Sequence, residues 1–224
     1  YALAWGAEML SAQIEDGYTV EEATKRIKFN FGISSNYFME IAKFRAARWL
    51  WAEIVAAHGE EYREVAKINQ HAITSQWNMT LYDSYVNLLR TQTEAMSAAL
   101  GGVDSITVLP FDTPYGLSDD FSMRIARNQQ LLLKEESHFD KVIDPSAGSY
   151  YIETLTSNIA HKAWELFLSI EQEGGFAGAV RDGKVQEKIN ATNRTRHEAV
   201  AQRKESLLGT NEFPNFGETV HDKI

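Results

Sequence analysis

Three times along the chain a short run of alternating apolar and polar residues gives way to a long stretch whose apolar residues recur three and four apart. IKFNFGI at 27–33 alternates Ile27, Phe29, Phe31 and Ile33, and a helical pattern over 37–57 follows it and stops at His58-Gly59. EVAKINQHAIT at 64–74 precedes a helix over 82–100 that ends at Gly101-Gly102, and SITVLP at 105–110 precedes a helix over 118–136. Such alternation predicts an α/β fold of parallel strands joined by right-handed crossovers.

A helix over 2–16 leads the chain, and Thr19 with Glu21 and Glu22 behind it opens a short helix that runs to Lys25. From Tyr150 onward no strand pattern returns. Helices over 151–173, 176–180 and 184–205 are expected, and LLGTNEFPN closes in an extended segment. The chain therefore divides into a β-α part at 1–137 and a helical extension at 138–224. Three parallel strands leave two open edges, and three β-α units cannot close a barrel that takes eight strands. Something outside these residues is expected to complete the sheet. Tyr1 stands inside a helical pattern, which reads as an excised piece of something longer.

Composition narrows the function. Lys plus Arg number 22 against 31 Asp plus Glu, a formal net charge of −9, with no dense basic run, so nucleic acid and anionic membranes are poor partners. The absence of cysteine excludes a disulfide scaffold, a thiolate zinc site and a cysteine nucleophile. No apolar stretch approaches the roughly 20 residues that cross a bilayer, and no secretory signal opens the chain, so a cytoplasmic location is expected.

In parallel α/β folds chemistry gathers where strands end and helices begin. Those ends fall here at 30–36, 70–77 and 107–115. His71 lies at the second, and a histidine there polarises a carbonyl or donates a proton; the alternative is a half-buried histidine bonded to a neighbour. Asp104, Ser105 and Asp112 bracket the third strand, where capping and turn roles are the default. His58, His71, His138, His161, His197 and His221 form no pair at metal-binding spacing, and no metal site is expected. The glycine pairs at 101–102 and 174–175 read as helix stops. Arg45 and Arg48 beside Trp49 and Trp51 read as core-facing tryptophans next to a solvated arginine face.

Four segments carry a resemblance. NYFMEIAKFRAARWLW at 36–51, LLRTQTEAMSAALGG at 88–102, SMRIARNQQLLLKEES at 122–137 and VIDPSAGSYYIETLT at 142–156 resemble, in order, the barrel domain of the methylmalonyl-CoA mutase family. The likeness covers nearly the whole chain. It implies the last three β-α units of a TIM-type (β/α)8 barrel followed by a helical linker, in an isomerase family that uses adenosylcobalamin to interconvert methylmalonyl-CoA and succinyl-CoA. In that family the acyl-CoA threads the barrel axis, and a tyrosine and a histidine near the migrating group come from an earlier strand that would lie before Tyr1.

The resemblance also exposes departures. The family strand that reads Arg-Thr-His-Ser-Gln-Thr-Ser-Gly-Trp aligns with 69–77, where His71 survives and the glutamine has become Ile73. The next strand retains Ser105 and Asp112, but Asp104, Thr107, Leu109 and Thr113 replace Gln, His, Asn and Glu. Arg26 stands where an arginine contacts the CoA phosphates, while Lys28 and Asn30 replace serine and phenylalanine. Scaffold retained and site lost is the pattern of the family's small-subunit branch, and the GTNEFPN ending is similar to it too. On this likeness the chain itself is inactive and binds no cofactor, and it contacts acyl-CoA at most weakly through vestigial Arg26 and Ser105. Its partner is the catalytic large subunit, which carries adenosylcobalamin, in a heterodimer. Two other readings stay open: a catalytic mutase chain with altered acyl specificity, and a degenerate barrel used as a regulatory binding module.

Overall fold

A computed structural model describes residues 1–219, so His221 lies outside the described residues. Helices α1 (Ala2–Glu15) and α2 (Val20–Arg26) lead into β1 (Lys28–Ile33), α3 (Tyr37–Ala56), β2 (Asn69–Thr74), α4 (Val86–Leu100), β3 (Ser105–Thr107) and α5 (Asp120–Leu131). Helices α6 (Tyr150–Gln172), α7 (Gly175–Arg181) and α8 (Lys184–Ala201) follow. The strands form one parallel sheet in the order β1-β2-β3. The expected β-α alternation and parallel strand pairing are thus present, with both outer edges unpaired among the described residues. No described helix is long and apolar enough to cross a membrane.

Local chemistry explains the starts and stops. Thr19 forms a capping box with Glu22: its hydroxyl accepts the Glu22 N–H at 3.3 Å, and the Glu22 carboxylate accepts the Thr19 N–H at 3.0 Å. β2 is shorter than its hydrophobic run. Residues Glu60–Glu64 form a 3-10 turn, and β1 begins only at Lys28, the partner of Asn69, so nothing stands opposite the residues before 69. β3 stops at Thr107 because the Leu109 N–H turns to the Thr74 hydroxyl at 2.9 Å and Pro110 has no N–H. α4 begins at Val86 rather than 82 because the buried Asn87 side chain holds the preceding loop: it accepts from Thr80 N at 3.0 Å and donates to Thr80 O and Phe111 O, both at 2.9 Å.

α3 is the central helix. One side meets the sheet through Phe44, packed with Phe31, Ile33 and Ala72, and through Trp51, whose ring meets Phe29 edge-on at 4.9 Å. The other side meets α6 through Ala46, Leu50 and Ala160. Burial on two sides overturns the reading of its arginines and tryptophans. Trp51 is fully buried, but Trp49 is 47% and Phe38 51% exposed, and both arginines point inward. Arg45 donates to Asp144 at 3.2 Å, Glu153 at 2.8 Å and Thr156 at 3.0 Å, tying α3 to α6 and the loop before it. Arg48 donates to the carbonyls of Gly101 at 2.6 Å and Gly102 at 3.3 Å, which end α4. Gly102 has φ +74, and a Cβ there would meet the Arg48 guanidinium at 3.3 Å, so glycine satisfies both the turn and the approach.

The two tryptophans separate packing from surface. Trp51→Ala is expected to cost about 3–5 kcal/mol in urea denaturation, whereas Trp49→Ala should cost less than about 1 kcal/mol. Equal losses would contradict this placement of α3.

Candidate functional site

Strand parity sorts the candidate residues onto one face. Phe29, Ile33, Gln70, Ala72 and Thr74 are buried against the helices. The opposite face carries Lys28, Asn30 and Gly32 from β1, Asn69, His71 and Ile73 from β2, and Ser105 and Thr107 from β3. Of these, Lys28, Asn30, Gly32, Asn69 and Thr107 are exposed and the rest half-buried. Register sets them in rows: Lys28 beside Asn69, then Asn30, His71 and Ser105, then Gly32, Ile73 and Thr107.

His71 is the centre of this face, and its ring is saturated. Nδ1 lies 2.8 Å from Ser105 Oγ in its own row, and Nε2 lies 3.2 Å from Thr107 Oγ1 in the next. A hydroxyl serves as donor or acceptor, so the pair satisfies either tautomer of a neutral imidazole. Ile73, one row on, offers no hydrogen bond. The half-buried, hydrogen-bonded histidine is therefore the arrangement present.

The other candidates separate. Asp104 lies at the N-terminal ends of the strands, where it exchanges two bonds with Gln70: its carboxylate accepts the Gln70 N–H at 2.8 Å and its own N–H donates to Gln70 O at 2.9 Å. Leu109 and Thr113 lie beyond the C-terminal end of β3, where Thr113 donates to Pro110 O at 2.6 Å in a turn. Asp112 accepts from Ser118 Oγ at 2.7 Å, the expected turn role. Arg26 ends α2, with its guanidinium 4.2 Å over the Tyr18 ring. Together with Lys28, Asn30, Trp5, Met9 and Gln13 it lines a cleft of about 380 Å³ between α1 and the unpaired edge of β1. This cleft runs along the sheet edge that a further strand of a closed barrel would occupy. The described residues hold no group of three or more His, Cys, Asp or Glu placed to bind a metal.

One feature escaped sequence reasoning. Glu94 on α4 is 1% exposed, and its carboxylate accepts the Ser75 N–H at 2.9 Å and Asn78 Nδ2 at 2.6 Å. Burial raises it to about 7, against the opposing pull of those two hydrogen bonds. A signal was available: Asn87, Thr91, Glu94 and Ala98 recur at helical spacing, so the buried stripe of α4 is largely polar.

Two substitutions probe these placements. Asp104→Ala should cost about 1–2 kcal/mol by orphaning the Gln70 N–H, and Thr107→Val about 1 kcal/mol by orphaning a ring nitrogen, each read from denaturant midpoints. Neutral effects at both positions would show that these hydrogen bonds are not made.

Comparison with known proteins adds the lineage. The family model described as methylmalonyl-CoA mutase matches residues 1–223. The methylmalonyl-CoA mutase small subunit of Porphyromonas gingivalis is 68% identical over 100% of this chain, which covers 36% of that protein. The small subunit of Streptomyces virginiae is 44% identical over 95% of the chain and 34% of its own length. The Porphyromonas gingivalis large subunit is 39% identical over 95% of the chain and 30% of its length. The chain spans about a third of the length of the curated relatives it matches. With the family model matched from end to end of the described fold, the chain belongs to the methylmalonyl-CoA mutase family.

Proposed function

We propose that this chain is part of the small subunit of a methylmalonyl-CoA mutase, and that its three β-α units belong to an eight-stranded barrel extended by helices from about residue 138. Its role is to pair with and stabilise a catalytic large subunit. That partner holds adenosylcobalamin, whose bound form supplies the radical chemistry. The observation that carries this reading is the closed row at His71, where Ser105 and Thr107 occupy both ring nitrogens and Ile73 stands beside them. A group that is to polarise a thioester or move a proton needs a free hydrogen-bonding atom aimed at substrate.

Toward the C-terminal ends of the strands the open face finishes in Gly32, Ile73 and Thr107, and the one polar side chain of this set is bonded to His71. This set does not fit a cofactor that must be gripped by side chains, which supports assigning adenosylcobalamin to the partner. Relatives named both small and large subunit support a heterodimeric assembly.

A second reading, a catalytic chain with altered acyl specificity, is favoured by the cations Arg26 and Lys28 at the N-terminal end of β1. Two measurements separate them. Mutase turnover of the assembled protein, with the active-site histidine of the large subunit disabled, should be near zero; substantial turnover would overturn the non-catalytic reading. Calorimetric titration of the complete polypeptide with CoA esters should give little heat, whereas saturable binding that weakens in Arg26→Ala would support the catalytic alternative.

A further inference from the structure

Away from the open face, Glu94 is a buried carboxylate that makes no ion pair among the described residues. Its two bonds are both to the loop between β2 and α4, at Ser75 N and Asn78 Nδ2. The charged groups around it are committed elsewhere. From α3, Glu40 is paired with Lys43 and accepts from Ser34 Oγ at 2.6 Å, and Lys43 also donates to Gly32 O at 2.6 Å. From α4, Arg90 donates to Asn87 Oδ1 at 2.7 Å, Thr80 Oγ1 at 2.9 Å and Leu208 O at 2.7 Å. Two further atoms of the same loop are buried without a partner: Oδ1 of Asn78, a residue 4% exposed, and Nε1 of Trp77.

The loop also carries the support for α8. Arg196 lies over the Trp77 ring at 4.1 Å, and the His197 ring meets it edge-on at 4.6 Å. Elsewhere α8 buries only Val185.

We propose that the β2–α4 loop is a proton-operated latch: protonated Glu94 holds it closed against α4, and ionised Glu94 lets it open and release α8 from Trp77. A neutral carboxyl keeps both ties, because its carbonyl oxygen accepts from Ser75 N and, once the Asn78 amide turns over, its hydroxyl donates to Asn78 Oδ1. The closed loop then contains no buried charge. Ionisation restores a buried charge that only two neutral donors offset, and opening supplies water to the carboxylate, to Asn78 and to Trp77 Nε1 at once.

The sign follows from the raised value of Glu94, about 7 in the closed state against an ordinary 4.5. The closed state binds the proton more tightly than the open one, so closure is strongest below the ordinary carboxylate range. It weakens as pH rises through about 7 and is constant above. His197 faces the same tryptophan, so the test includes its replacement.

Hydrogen–deuterium exchange on the complete polypeptide, corrected for intrinsic rates, tests this. Protection at residues 75–80 and 193–201 is expected to be about tenfold greater near pH 5.5 than near pH 8. Glu94→Gln should make it independent of pH, and His197→Gln should leave the transition in the loop unchanged. Should Glu94→Gln fail to fold, Glu94→Met still decides: with no titratable group at 94, the pH dependence in the loop must vanish. Equal protection at both pH values in the unsubstituted protein, a transition that persists in either Glu94 variant, or one that vanishes in His197→Gln would overturn the proposal.

Discussion

The half-buried contact between Arg48 and the end of α4 is the joint on which the sheet and its helices depend. α4 finishes with unpaired carbonyls at Gly101 and Gly102, at the negative end of its dipole, and the Arg48 guanidinium satisfies both from α3. The same guanidinium reaches Gln70 Oε1 at 3.4 Å, and Gln70 Nε2 donates to Phe44 O at 3.1 Å, back on α3. Asp104 then binds the Gln70 N–H from the start of β3. One run of polar groups thus fixes α3, α4, β2 and β3 together. Partial burial lowers the Arg48 pKa, and three acceptors meet the half-buried cation.

This joint also decides what the open face displays. Side chains alternate along a strand, so seating Gln70 among the helices puts His71 on the other side, and Ala72 beneath Phe44 puts Ile73 there too. A slip of one residue would bury His71 and strand a glutamine in the open. Register therefore rests on a polar contact on the helix side, although its consequence is read on the opposite side, in the row of Asn30, His71 and Ser105.

Much of the fold was legible in sequence because period-two and period-3.6 patterns report which side of an element is buried. β1, the capping box at Thr19 and the stop at Gly101-Gly102 follow directly. Periodicity is uninformative where burial is not one-sided. α3 is covered on two faces, so hydrophobic spacing could not say which tryptophan lay inside, and two arginines whose partners lie 22 to 111 residues away in sequence read as solvated. Edges failed likewise, since strand length depends on what lies opposite. The run at 64–74 loses its first residues because β1 has nothing to pair with them. At the site, His71 and Ser105 were legible as residues, but their contact was not, because it needs the register of two strands that no local pattern supplies.

Position along the open face separates binding from chemistry on the proposed reading. The cations Arg26 and Lys28 lie at the N-terminal end of β1, where the negative end of a long ligand would rest. A ligand extending from there along the strands meets the row of Asn30, His71 and Ser105, whose histidine is already bonded to its neighbours, and then Gly32, Ile73 and Thr107. Attraction at the entrance does not lower a barrier further along unless polar groups aimed at the reacting atoms await there. In the outer row a methyl-bearing side chain stands where such a group would act, and the remaining hydroxyl holds an imidazole in place. An arrangement of this kind stabilises the face of the sheet itself, and that is the property a supporting subunit requires.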